Sequence, residues 1–172
     1  MPRVFFALWP DESARAKLAA LARRLADEGG GRPVPAANID LTLAFLGDVA
    51  DDRLEVAKGV ASGMRGPAFE LALDRLGSFR RAGVGWAGPS CPPGALGQVQ
   101  SSLERALRSA GFVLEERAFA PHLTLARKLV RPVAEKAIDP VAWDVEGFVL
   151  VESAREKGAY AQVAGWEFGK GI

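Results

Sequence analysis

Two four-residue strings, Asp40-Leu41-Thr42-Leu43 and His122-Leu123-Thr124-Leu125, differ in one letter and stand 82 residues apart. The second holds the chain's one histidine, and the first has an aspartate in its place. On a strand, side chains alternate between faces, so His122 and Thr124 point the same way, as do Asp40 and Thr42. A hydroxyl two residues from an acid–base group, presented twice, is a pattern able to pinch a phosphate between two strands and move protons around it.

The elements that position these residues follow from hydrophobic spacing. Arg3 to Leu8 reads as a buried strand ended by Pro10, and Asp11 caps a helix with apolar positions Ala14, Leu18, Leu21 and Leu25, stopped at Gly29 to Gly31. Ile39 to Leu46 reads as a strand closed by Gly47, after which Asp51 or Asp52 opens a helix through Leu54, Ala57 and Ala61. Phe69 to Leu76 alternates as a half-buried strand, Val84 to Ala87 is a short one, and Leu96, Val99, Leu103 and Leu107 mark an amphipathic helix ending near Gly111. Phe119 to Ala126 is the second motif strand. A short helical segment is expected after Pro132, then strands at Val145 to Glu152 and about Ala159 to Phe168, joined by a turn containing Gly158. An amphipathic helix precedes each Thr-Leu strand, so the halves echo one another. The expected fold is α+β: a single bilobal domain over residues 1–172 with pseudo-twofold symmetry, two mainly antiparallel sheets flanked by helices, and the active-site cleft between the lobes.

Composition narrows the setting. The chain has 172 residues, 49% hydrophobic and 25% charged, with a formal net charge of +1, enough for one cored domain and without a global attraction to nucleic acid. The single cysteine, Cys91, has no disulfide partner, and no Cys/His set offers a metal site. The apolar run Val4 to Trp9 is too short for a signal-peptide core or a membrane span. A cytoplasmic protein with no membrane association, no obligate protein partner, no cofactor and no metal is expected, and as a monomer, since no heptad run stands out.

Three strings, Arg3-Val4-Phe5-Phe6-Ala7-Leu8, Asn38 to Gly47 (Asn-Ile-Asp-Leu-Thr-Leu-Ala-Phe-Leu-Gly) and Phe119 to Arg127 (Phe-Ala-Pro-His-Leu-Thr-Leu-Ala-Arg), together resemble the 2H phosphoesterases. The branch they are most similar to is that of the bacterial and archaeal RNA 2',3'-cyclic phosphodiesterases, once called 2'-5' RNA ligases. Leu150 to Ser153, followed by Gly158, Tyr160 and Trp166, resembles that branch's closing strand pair, so the resemblance covers essentially the whole chain. It implies a metal-free site at which a terminal 2',3'-cyclic phosphate is opened to a 2'-phosphate, with RNA ends or small cyclic nucleotides as partners. By the same resemblance His122 is the general base, position 40 protonates the leaving oxygen, Thr42 and Thr124 hold phosphate oxygens, and Arg127 adds charge. Phe5 or Phe45 offers a ring to the terminal base.

Asp40 departs from the family pattern, which has histidine there. With an ordinary pKa of about 3.9, only about one aspartate in a thousand is protonated at pH 7. A phosphodiester anion about 4 Å away would repel the carboxylate by on the order of 4 kcal/mol at an effective dielectric of about 20, favouring the protonated form. On this reading the chain is a weakened phosphodiesterase, slower than an Asp40→His version by about 10²- to 10⁴-fold. The alternative is a catalytically silent module that binds RNA-end or nucleotide phosphates, through natural degeneration or an engineered change. Taken alone, Thr42 and Thr124 are ordinary strand formers, Arg127 and Lys128 solvated charge, and Trp86 and Trp166 core aromatics. Arg75, Arg80 and Arg81 cluster around a Gly-rich turn, read chiefly as a solvated loop.

Overall fold

The computed structural model describes residues 2–154 and 158–169. Its strands are β1 (Arg3–Leu8), β2 (Arg32–Pro33), β3 (Leu41–Asp48), β4 (Phe69–Phe79), β5 (Val84–Gly88), β6 (Leu123–Arg127), β7 (Lys136–Val145), β8 (Gly147–Ser153) and β9 (Tyr160–Glu167). The helices are α1 (Glu12–Gly29), α2 (Asp51–Ser62) and α3 (Gly94–Ser109), with a 3-10 turn at Ala36–Asn38. Among the described residues no helix is long and apolar enough to cross a membrane.

The strands run in the order β7-β4-β5-β6-β3-β1-β8-β9, all neighbours antiparallel, with β2 added beside β6. The order has a seam at its middle: β3 and β6 are joined through one residue pair, Leu41 with Leu123. On either side lies a four-stranded half, β3-β1-β8-β9 and β6-β5-β4-β7, each with its Thr-Leu strand innermost. The two expected sheets are thus the halves of one sheet, pinned together between the motifs.

The helices follow their apolar faces across the seam. Asp11 caps α1, its Oδ1 accepting from the Ala14 N–H at 2.8 Å, and Gly30 ends it at φ 71, a left-handed conformation that glycine adopts without a Cβ clash. Although α1 follows β1, it packs on β6, β2 and β5 of the other half. α3, which precedes β6, reciprocates by packing on β3 beside α2, with Leu96, Leu103 and Leu107 fully buried. Each half is therefore covered by a helix from the other half of the chain, which stabilises the seam that one strand pair could not hold alone.

Some local expectations shift. No helix follows Pro132; β7 forms there, on the outer edge of the sheet, where Pro140 costs no ladder hydrogen bond. The second motif strand starts at Leu123 rather than Phe119, since Pro121 has no N–H to give a ladder. Likewise β3 starts at Leu41, so Asp40 and His122 each stand one residue before a strand. α2 begins after Ala50, which makes no side-chain cap, and Asp51 and Asp52 instead favour its first turn electrostatically. Part of the turn expected before Gly158, residues 155–157, lies outside the described residues.

Candidate active site

The single seam pair fixes the site. Leu41 and Leu123 are both fully buried, so their chain neighbours point to the opposite face. With antiparallel strands paired at these two leucines, Thr42 lies across from His122 and Asp40 across from Thr124. Asp40 and His122 thus stand on a diagonal, with a threonine facing each. A phosphorus atom centred between the strands would have one such group on each side, the arrangement an in-line displacement requires.

Thr42, His122 and Thr124 line a cavity of about 670 Å3 together with Phe45, Phe79, Arg81, Gln100, Arg117 and Phe119, among others. His122 Nδ1 lies 2.8 Å from the Ala120 carbonyl oxygen. A carbonyl can only accept, so Nδ1 carries the hydrogen in the neutral ring and Nε2 keeps its lone pair. The Phe79 ring meets the imidazole edge-on, 5.2 Å between centroids and 88° between planes, which limits its swing. Thr42 is exposed and Thr124 half-buried, both with hydroxyls unoccupied by any hydrogen bond among the described residues that would compete for a ligand.

Asp40 does not line that cavity. It is recessed at 8% exposure, and its Oδ2 is buried without a hydrogen-bond partner. Burial raises its pKa from the usual 3.8 to about 7, despite the opposing pull of the Arg15 guanidinium, the Trp9 indole N–H and Arg127. Trp9 Nε1 is itself buried and completes no hydrogen bond, so it faces the carboxyl without closing on it. Arg15 stacks over the Trp9 ring at 5.6 Å and donates to the Ala36 and Ile39 carbonyls, the latter at 3.3 Å. Burial lowers its own pKa, with Asp40 opposing. The 3-10 turn ahead of Asp40 is thereby held by a helix of the other lobe's cover, and with it the backbone that aims the carboxyl. Burial thus sets the Asp40 carboxyl well above the ordinary aspartate range, towards neutrality.

Arg127 is exposed and, like Asp40, stands beside the cavity rather than in its wall. It lies near the hydroxyl of Tyr160, whose pKa is raised by burial and by the Asp40 charge, with the Arg127 charge opposing. Asn38 links the same places, donating to the Gly158 carbonyl at 2.6 Å and accepting from the Tyr160 N–H at 3.3 Å. Of the two candidate rings, Phe45 is 44% exposed on the cavity, under Arg3 at 5.3 Å. Phe5 is only 4% exposed, 6.5 Å from Phe45 and 5.0 Å from Tyr160, so it supports rings rather than presenting one. The arginine cluster separates: Arg81 reaches the main cavity, Arg75 a second one and Arg80 a third. Trp166 packs on Phe6 and Phe148 as a core aromatic, whereas Trp86 lines the second cavity.

Spacing alone does not mark Trp9, Arg15 and Tyr160 as site residues. They come from β1's end, α1 and β9, and only their convergence on Asp40 distinguishes them. A buried acid one residue before a strand, with an arginine on a neighbouring helix, leaves no periodic trace in the chain.

Comparison with known proteins finds relatives in both sequence and structure. The chain is 35% identical over 142 residues, 79% of each chain, to a protein of Escherichia coli (strain K12) named RNA 2',3'-cyclic phosphodiesterase. The structure of E. coli LigT complexed with 3'-AMP superposes with a TM-score of 0.89 at 31% identity, covering 99% of this chain and 100% of that one. LigT complexed with phosphate gives 0.84 at 30% identity, covering 98% and 99%. A family model matches residues 4–157, from β1 to beyond β8 and across both motif strands, and the chain accordingly belongs to the 2'-5' RNA ligase superfamily.

Proposed function

We propose that this chain hydrolyses the terminal 2',3'-cyclic phosphate of RNA to a 2'-phosphate, with Asp40 as the acid and His122 as the base. The observation that carries the reading is the diagonal across the seam: an imidazole with a free Nε2 at one corner and a carboxyl with a pKa of about 7 at the other. His122 Nε2 takes a proton from water as the water oxygen bonds to phosphorus. The phosphorus–O3' bond breaks on the opposite side, and O3' takes the Asp40 proton. The product carries a 2'-phosphate and a 3'-hydroxyl, and proton exchange with solvent resets the imidazolium and carboxylate. Thr42 and Thr124 donate to the non-bridging oxygens, while Arg127, with Tyr160 beside it, offsets the charge that builds on them.

The raised Asp40 pKa supports a working enzyme over a silent phosphate-binding module, because the donor form is present before substrate arrives. Substrate charge raises that fraction further. The reading extends to a monomer that acts on RNA ends in the cytoplasm. It is tested by incubating the protein with a 2',3'-cyclic nucleotide and with a short cyclic-phosphate-ended RNA across pH 5 to 8. Release of a 2'-phosphate product is expected; saturable binding with no product at any pH would establish the silent module instead.

The threonines give a separate expectation. Thr42→Val and Thr124→Val each remove one donor to a charged oxygen, a bond worth about 1.5–3 kcal/mol. Each should raise KM or lower kcat/KM by about 10- to 100-fold while keeping the strand, since valine is as good a strand former as threonine. Steady-state kinetics, with circular dichroism as a fold control, would read this.

A further inference from the structure

The cleft face of the second half-sheet continues outward from the reacting residues. Register sets Trp86 beside Thr124 and Gly77 beside Trp86. One row along, Ala87 pairs with Leu123, which puts Gly88 alongside His122, and Arg75 pairs with Gly88. The two glycines leave room that side chains would fill. A Cβ on Gly77 would come 2.5 Å from Trp86 Cζ2, so the indole lies on bare backbone; a Cβ on Gly88 would stand 3.1 Å from the Pro121 carbonyl oxygen.

The result is a second cavity of about 440 Å3, lined by Arg75, Phe79, Trp86, Ser90, His122 and Glu135 among others. His122 and Phe79 belong to its wall and also to the wall of the main cavity. Phe79 is 42% exposed and stacks on Trp86 at 5.8 Å and 30°. The floor is therefore a supported aromatic surface, of the kind on which nucleic-acid bases stack whatever their identity. Arg75 Nε lies 3.5 Å from Glu135 Oε1, a part-exposed pair that is weak enough for the guanidinium to exchange to a phosphate. Glu135 would then be free to accept from a ribose 2'-hydroxyl, a contact DNA cannot make. The volume falls within the range of small-ligand sites.

We propose that this cavity takes the ribonucleotide preceding the cyclic-phosphate end, so that the preferred substrate is an RNA end of two or more nucleotides rather than a free cyclic nucleotide. The inference rests on the phosphodiesterase reading above. In it, the terminal nucleotide occupies the main cavity, His122 stands at the partition, and the chain crosses Phe79 to stack its next base against the Phe79–Trp86 pair, with Arg75 on the linking phosphate.

The test compares a 2',3'-cyclic mononucleotide with a dinucleotide ending in the same cyclic nucleotide. The dinucleotide should show kcat/KM higher by about tenfold or more, mainly through KM, and Arg75→Gln should move the ratio of the two substrates towards one. Equilibrium titration of intrinsic tryptophan fluorescence with the 2'-phosphate products, dinucleotide against mononucleotide, reads the same preference without turnover. Equal affinities and equal kcat/KM would overturn the second site while turnover of the mononucleotide leaves the phosphodiesterase reading standing. A tighter dinucleotide with no turnover of either substrate would keep the site and overturn the catalytic reading.

Discussion

Asp40→Asn should lower kcat on a 2',3'-cyclic phosphate by about 10²- to 10⁴-fold at pH 6, the usual worth of a positioned acid. The amide keeps the shape of the carboxyl, but its N–H groups are too weakly acidic to give O3' a proton. The pH profile separates this from a packing defect. Asp40 is protonated below its pKa of about 7, so kcat/KM of the native protein should fall as pH rises through about 7. The corresponding fall in kcat should lie higher, because the bound phosphodiester anion raises the carboxyl's pKa further. In Asp40→Asn the limb owed to this group vanishes. A native profile flat from pH 6 to 8, or a variant of native rate, would remove Asp40 from the acid role. Asp40→His should gain at most about tenfold at pH 7, far below the gain expected if the aspartate were ordinary, since about half of Asp40 is already the acid.

The same variant carries a stability signature of opposite sign. A carboxyl whose folded pKa is raised above its unfolded value stabilises the native state fully only below the unfolded value, and that contribution is lost as pH rises through the folded one. For Asp40 the window runs from 3.8 to about 7, and the loss amounts to up to about 4 kcal/mol. Asp40→Asn does not ionise, so its Tm should exceed the native value at pH 8 and the advantage should disappear towards pH 4. A variant that is slower yet more stable in alkali is the pattern expected of a buried functional acid. Thermal denaturation at the two pH values measures it.

His122→Ala should lower kcat by about 10²- to 10⁴-fold, with little change in Tm, since the imidazole is half-buried and, among the described residues, hydrogen-bonds only to the carbonyl of Ala120 nearby in the chain. Combined with Asp40→Asn, the losses should fall short of their product, because base and acid act on one displacement and what remains is owed to the threonine and arginine contacts. Single-turnover kinetics would separate the chemical step from product release. If His122→Ala retained native single-turnover rates, another group would have to take the water proton, and no other described side chain in the main cavity wall pairs a free imidazole lone pair with the two threonines.

The helices α1, α2 and α3 and the strands β1, β3, β4, β5, β6, β8 and β9 were legible because each buries one face and writes that face into the chain as period 3.6 or 2. β7 was not, since an edge strand interrupted by Pro140 loses the pattern that a central strand must keep. Trp86 leaves no local sign of its place for a related reason: its indole is supported by Gly77 of the next strand, and nothing local distinguishes an aromatic packed on a bare backbone from one packed in an interior.

By itself the sequence determined the paired Thr-Leu motifs, the family they resemble and the presence of one imidazole and one carboxyl at matched positions, because those are properties of residue type and spacing. What the tertiary structure decided is what that carboxyl can do. Its proton affinity depends on its burial beside Trp9 and Arg15, and which side chains it faces depends on the register set when Leu41 meets Leu123. Neither desolvation nor strand register is a local property of the chain; both arise only when segments distant in sequence pack against one another.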